Sequence, residues 1–313
     1  MSRTAPTIFD CAGDEPEPRH DLAACAARLR ASEDYRVLER LRPRATIGDP
    51  GGEAEAHGLV VDVETTGRDS GRDRIIQMAA VPFRYTRDTG RVTSVDEAVV
   101  QFDDPGRPIP AVVVELTGIR DENVRGQRLD DAVFSDLAAR SDLVIAHNAG
   151  FDRPFVERRL PAYRDCDWAC TWAEVPWGPG SQTLEMLLAK VCGRFADAHR
   201  ADEDCLAVIE LLAATLDGGR PVMRHLLEAS AREAGRMLAI GAIFEAKDQL
   251  KERGYRWWPG SDDQPKCWYR EMPAEEREAE EAWLAANAYH PGRCKAAWTR
   301  ISARTRYRGL GVG

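Results

Sequence analysis

No stretch of the 313-residue chain comes near the roughly 18 consecutive apolar residues of a membrane-spanning helix, so no membrane is expected as a partner. The start, Met1-Ser2-Arg3-Thr4-Ala5-Pro6, lacks the apolar core of a signal peptide. The eight cysteines lack a repeating spacing, which reads as reduced thiols in a cytoplasmic protein. Cys166 and Cys170 form the only close pair, and no second Cys/His pair stands where it would complete a zinc site. An excess of basic charge is also missing. With 43 Lys and Arg against 52 Asp and Glu the net charge is −9, unusual for a nucleic-acid protein. A cation held by some of those acids would invert the local field, so net charge does not exclude such a partner. Charge is also segregated: positions 275–281 are mostly acidic, whereas Arg293 to Arg308 contains no acid at all. Two solvated faces, or a basic strip for a phosphate backbone, would each account for this.

What is present is a globular composition, 43% hydrophobic and 30% charged, in a length that suggests about two domains. Residues 1–18, rich in Pro, Asp and Glu, read as disordered. Residues 19–56 read as an amphipathic helix over 22–41, packed on the α/β unit after it, and a Gly/Pro/acidic connector. From 57 to 217 the pattern is α/β. Strands are expected at 58–64, 74–85 and 91–102, then helices at 111–116 and 130–140, a short buried strand at 142–146, and helices at 150–160, 182–191 and 201–216. An antiparallel unit followed by alternating helix and strand describes a mixed sheet flanked by helices. A linker over 218–236, helical from 222, leads to a small α+β unit over 237–310. There a strand, a helix, a hairpin (255–258 and 266–272), a second helix and a last strand are expected, with no internal repeat.

The most informative stretch is Val60-Val61-Asp62-Val63-Glu64-Thr65-Thr66-Gly67. Strand side chains alternate faces, so Asp62 and Glu64 point the same way from one β-branched strand. Two anions side by side repel and lose hydration, a cost that no purely structural role recovers and a divalent cation does. Two further clusters stand downstream: His147-Asn148-Ala149-Gly150-Phe151-Asp152 at a strand-to-helix junction, and His199-Arg200-Ala201-Asp202-Glu203-Asp204 at the start of a late helix. Catalytic groups of open α/β sheets collect near strand ends, where both clusters fall.

In order, these motifs, with Leu116-Thr117-Gly118-Ile119 between them, resemble the histidine-bearing DEDD (DEDDh, DnaQ-like) 3′–5′ exonucleases, the group of the proofreading epsilon subunit of bacterial DNA polymerase III, over about residues 57–216. The resemblance implies a ribonuclease H-like fold and two Mg²⁺ or Mn²⁺ ions per site. It implies that Asp62 bridges both ions, that Glu64 and Asp204 hold the ion that activates water, and that Asp152 serves the other. His199 is implied as general base, with its pKa pushed up by the carboxylates. Proximity alone leaves Asp202 and Glu203 as competitors of Asp204; the register with Ala201 selects Asp204. His147 reads as a buried hydrogen-bonding residue. Thr65, Thr66 and Asn148 are implied in seating the terminal nucleotide, while Leu116 and Phe151 would contact bases or pack in the core.

The hairpin of the small unit, with Tyr255, Trp257, Trp258, Trp268 and Arg270, interleaves rings with cations, as suits single-stranded nucleic acid. A small core also needs large rings, so part of this set is expected inside, and docking of a protein partner is the competing use. The function implied is a metal-dependent exonuclease that releases nucleoside monophosphates from single-stranded or frayed 3′ ends, of DNA before RNA. An RNA-trimming exoribonuclease and a catalytically silent nucleic-acid-binding or scaffold protein are the rivals.

Overall fold

A computed structural model describes residues 19–197, 200–216, 218–260 and 265–308. The expected disordered start and the expected general base, His199, lie outside the described residues. Helix α1 covers Arg19–Arg30 and stops short of the expected 41, and Ser32 Oγ takes the amide of Asp34 just beyond it. Leu22 and Leu29 are exposed, so this helix does not bury the apolar face expected of it.

The α/β unit contains β1 (Glu55–Thr65), β2 (Ile75–Thr86), β3 (Val92–Val95), β4 (Val99–Phe102), α2 (Ala111–Thr117), α3 (Asp131–Arg140), β5 (Leu143–Ala146), α4 (Ala149–Arg159), β6 (Trp168–Cys170) and α5 (Ala201–Ala213). The sheet runs β3-β2-β1-β5-β6, with β4 also paired to β2. β1, β2, β3 and β4 pair antiparallel, whereas β1–β5 and β5–β6 pair parallel. This mixed sheet, flanked by helices, is the ribonuclease H-like arrangement. Alternation along β1 sends Val60 into a core shared with Ala201, Cys205 and Val208 of α5. Leu59, Val61 and Val63 face the other way, against α3 and α4. The single strand expected at 91–102 is two, and β6 was not expected at all. The helix expected over 182–191 is one α-turn, Leu184–Leu187, followed by a π-turn, Leu188–Cys192.

The helix expected over 222–236 ends early: α6 is Val222–Ala231, and the chain then extends as β7 (Ala234–Ile240). Its neighbours are α7 (Lys247–Glu252), β8 (Arg256–Trp258), β9 (Cys267–Pro273), α8 (Arg277–Asn287) and β10 (Ala296–Ile301). These strands form an antiparallel sheet in the order β8-β9-β7-β10. One face, with Met237, Ala239 and Met272, is buried with Leu250 of α7 and Leu284 of α8. Gly235 is needed there: a Cβ would lie 2.0 Å from the Trp298 ring. After β10 the chain returns to the first unit, where the carbonyl of Ala303 accepts from the amide of Trp168 at 2.9 Å. Among the described residues no helix is long and apolar enough to cross a membrane.

Candidate active site

The parallel pairing of β1 with β5 stops at Val60–Ile145, and the strands part beyond it. Asp62 and Glu64 lie past that point, still paired antiparallel with Ala79 and Gln77 of β2. Both therefore leave the strand on one face, as period-two alternation requires. A register shift between Glu64 and Thr65 then turns the chain into the following loop.

On the side where β5 has fallen away, α4 begins. Asn148 precedes it in a left-handed conformation (φ 76°), which lets the chain turn sharply from strand into helix. Asp152, in the first turn, is 2% exposed, and its Oδ1 accepts from the Val63 amide at 3.3 Å. One buried carboxylate thus replaces the missing strand neighbour of β1. From the other face comes α5. Ala201, Cys205 and Val208 seat this helix on the sheet, and Asp204 stands beside that stripe near its N-terminus. One carboxylate oxygen each from Asp62, Glu64 and Asp204 lie within 4.8 Å of one another. Asp202 and Glu203 are engaged elsewhere: Arg200 approaches both, at 3.7 and 4.0 Å, and Glu203 also accepts the Asp197 amide at 2.7 Å.

The electrostatics carry the cost of that convergence. Burial, then the charges of Asp152, Asp204 and Glu64, holds the Asp62 carboxyl well above the usual range. Burial and Asp204 push Glu64 up to about 7. Asp152 is likewise raised, chiefly by burial, against the pull of the Val63 amide. The donor set is all carboxylate oxygen, the chemistry that Mg²⁺ and Mn²⁺ favour.

The surroundings correct part of the expected substrate set. Thr65 and Thr66 are buried, and their hydroxyls serve the loop: Thr65 Oγ1 donates to the Gly67 carbonyl at 2.5 Å, and Thr66 Oγ1 donates to Asp73 at 3.1 Å while accepting from Arg107 at 2.7 Å. Both hydroxyls are thus engaged within the loop. Leu116 is 55% exposed and Val112 70% exposed on α2, which buries none of its own residues, so Leu116 is not a core residue. Phe151 is half-buried against Phe155, ring centroids 5.2 Å apart. Asn148 is exposed at the rim. His147 is held by Thr171 Oγ1 at 2.8 Å and the Gln182 carbonyl at 2.9 Å. A carbonyl only accepts, so Nε2 carries the proton, and burial lowers the pKa of the ring.

The aromatic hairpin is divided. Tyr255 is a core residue, its hydroxyl donating to Glu280 at 3.0 Å, and this corrects its expected nucleic-acid contact. Arg270 is turned to Glu276 and Glu280. Trp257, half exposed, meets Trp268 edge-on at 5.3 Å on the sheet face that also buries Ala239. Trp258, on the opposite face, is partly buried. Sequence reasoning missed Trp172, 41% exposed just after β6, because it lies in no motif; Tyr269, within the aromatic hairpin, stands on the sheet face opposite Trp268.

A ribonuclease H-like domain with a carboxylate centre at its strand ends is the class that fold and site define. Residues 59–212 match the RNase T family model, described as an exonuclease, and the match supports a DnaQ-like exonuclease domain in this part of the chain. Among curated proteins, DNA polymerase III PolC-type of Listeria innocua is 39% identical over 104 residues, which is 33% of this chain and 7% of that one. The PolC-type polymerase of Lacticaseibacillus paracasei is 30% identical over 155 residues, 48% of this chain and 10% of that one. The chain thus spans about a tenth or less of the length of these relatives. Among solved structures, Exonuclease X in complex with 5′ overhanging duplex DNA aligns with a TM-score of 0.40 and 23% identity, over 55% of this chain and 98% of that one. E. coli Exonuclease I in complex with a dA16 oligonucleotide aligns with a TM-score of 0.42 and 16% identity, over 70% and 63%.

Proposed function

We propose that the protein is a cytoplasmic, metal-dependent 3′–5′ exonuclease that releases nucleoside monophosphates from single-stranded or frayed DNA ends. The observation that carries the reading is the convergence of Asp62, Glu64 and Asp204 within 4.8 Å in an exonuclease-family domain, with Asp152 buried at their side. Three anions held so close are unfavourable without a cation.

Asp62, Glu64, Asp152 and Asp204 would hold two Mg²⁺ or Mn²⁺ ions. Such ions, when bound, supply positive charge to a scissile phosphate and acidify a water. Asp62, between the other carboxylates, is assigned the shared position. Asp152 is oriented by the Val63 amide, which its Oδ1 accepts at 3.3 Å. His199 takes the proton of the attacking water at its imidazole. Leu116 and Val112, exposed and apolar on α2, offer the surface on which a splayed terminal base rests.

The test is digestion of 3′- and 5′-labelled single strands and duplexes of DNA and RNA with Mg²⁺ or Mn²⁺, with Asp62→Ala as control. Stepwise release of the 3′ label, lost in the variant, is expected. Undiminished hydrolysis by Asp62→Ala would overturn the site, release from the 5′ end the polarity, and faster loss of RNA the substrate.

A further inference from the structure

A cleft of about 650 Å³ separates the exonuclease-family unit from the C-terminal sheet. Ser70, Asn148, Gly150 and Trp172 line it on one side, and Arg256 and Tyr269 on the other. Asn148 and Gly150 stand at the start of the helix that bears Asp152, so one end of the cleft lies within a helical turn of that carboxylate, which does not itself line it. We infer that this cleft is the track for the single strand leading to the end being cut. The inference rests on the proposed nuclease activity and names the surface that guides the substrate.

The sheet register explains which side chains the second wall presents. Arg256 pairs with Tyr269, and Tyr269 with Leu238. Alternation puts this row on the face opposite Met237, Ala239 and Met272, the face buried under the helices. The free face of the small sheet is therefore turned to the first unit.

Charge within the cleft is decided by pairing. Its three acids are each taken up by an arginine: Glu174 by Arg306, Glu233 by Arg300 at 3.0 Å, and Glu271 by Arg236. Arg232 and Arg256 also line the cleft, are exposed, and make no ion pair among the described residues. The unneutralised charge is positive in a protein of net charge −9. Trp172 on one wall and Tyr269 on the other supply ring faces for bases, and the arginines lie where a backbone would pass. This is the combination that holds single strands with little regard to sequence. The volume is that of a small-ligand pocket, too small for a duplex.

The test uses the full chain and two exposed positions on opposite walls, Arg256→Glu and Trp172→Ala, with thermal melts to confirm folding. Fluorescence anisotropy with a labelled oligothymidylate of about 20 nucleotides, in EDTA so that nothing is cut, is expected to show about tenfold weaker binding for each variant. Arg256→Glu should also flatten the salt dependence of binding, as loss of a phosphate contact does. With Mg²⁺ or Mn²⁺, KM on that oligonucleotide should rise similarly while hydrolysis of a dinucleotide, too short to follow the whole cleft, changes much less. Unaltered affinity in both folded variants would overturn the inference, as would equal losses on both substrates. Binding is read without turnover, so a wild-type protein that cuts nothing would defeat the nuclease reading and leave the cleft still decided by anisotropy.

Discussion

Arg153 donates from Nη1 to the carbonyl of Arg306 at 2.7 Å, joining the helix that bears Asp152 to the last described turn of the chain. The same guanidinium donates to the carbonyls of Ala303 and Arg304, at 3.1 and 2.5 Å, and to Glu157 at 2.6 Å. Its face lies over Trp168, 5.3 Å from the ring centroid, and the side chain is fully buried. Burial pulls its pKa down to about 10. Arg308 reaches the same Glu157 from the tail. The segment after β10 is in this way built onto the helix that bears Asp152.

Losing Arg153 leaves Glu157 to Arg308 alone and three tail carbonyls without their donor, and losing the tail strips Arg153 of those acceptors, each at a cost of about 1–3 kcal/mol. Arg153→Leu, and a chain ended after Ser302, are each expected to lose that much stability in urea unfolding, and nuclease activity with it. A loss below about 1 kcal/mol in both would refute the clamp. Consequently, cutting the chain near residue 235 would confuse a binding defect with a folding defect, whereas point changes on the cleft walls avoid this.

How much of this was legible in the sequence depends on how local each signal is. Asp62 and Glu64 could be read because a β-branched run with period two fixes their common face. Asp204 could be read from its step to Ala201, which the buried stripe of α5 reproduces. Strand β6 could not, because it has three residues and its partners, Val144 to Ala146 and the carbonyl of Ala303, come from elsewhere in the chain. The acceptors of Arg153 are backbone carbonyls about 150 positions away, and a carbonyl has no residue type to recognise. Residues 234–236 looked like the end of a helix because only pairing with β9 and β10 makes them the start of a strand.

Glu64 and its neighbours make metal-free stability fall as pH rises. The folded carboxyl ionises near 7 rather than 4.5, so between those values the folded state holds a proton that the unfolded chain has released. The stabilisation is complete below about 4.5 and lost above about 7, a swing of up to about 3 kcal/mol for Glu64, with Asp62 and Asp152 acting in the same direction. In EDTA, Tm measured between pH 5.5 and 8 should fall more steeply for the wild type than for the Asp62→Asn, Glu64→Gln double variant. Mg²⁺ or Mn²⁺ should raise Tm more at pH 8 than at pH 5.5. Parallel curves for the two proteins would refute the electrostatic account.

Leu116 separates binding from stability. It is exposed and touches no core, so Leu116→Asp should leave Tm within about 1 °C. If a base rests there, removing its apolar surface costs about 1–2 kcal/mol of binding, part of the value of a fully buried Leu, read as KM raised about 5- to 30-fold with a smaller change in kcat. An unchanged KM would free α2 of any substrate role.

Gly67 is where the loop after Glu64 has no room to vary. A Cβ there would lie 2.4 Å from Asp73 Oδ2. That carboxylate accepts the Asp69 amide at 2.9 Å, the Thr66 hydroxyl at 3.1 Å and Arg107 at 2.8 Å, and the Asp69 amide leads in holding its pKa below the usual range. Gly67→Ala must push Asp73 aside, and the buried Thr66 hydroxyl then loses its acceptor, a cost of about 1–3 kcal/mol. Because Thr66 comes just after the bulge that ends the Asp62–Glu64 strand, activity should fall as well. Asp73→Asn keeps the size of the side chain and one acceptor oxygen, so it should cost less on both counts. Urea unfolding and hydrolysis of a labelled single strand, measured on both variants, check the order. If Asp73→Asn proved the worse of the two, the charge of Asp73, rather than the space beside Gly67, would be what holds the loop.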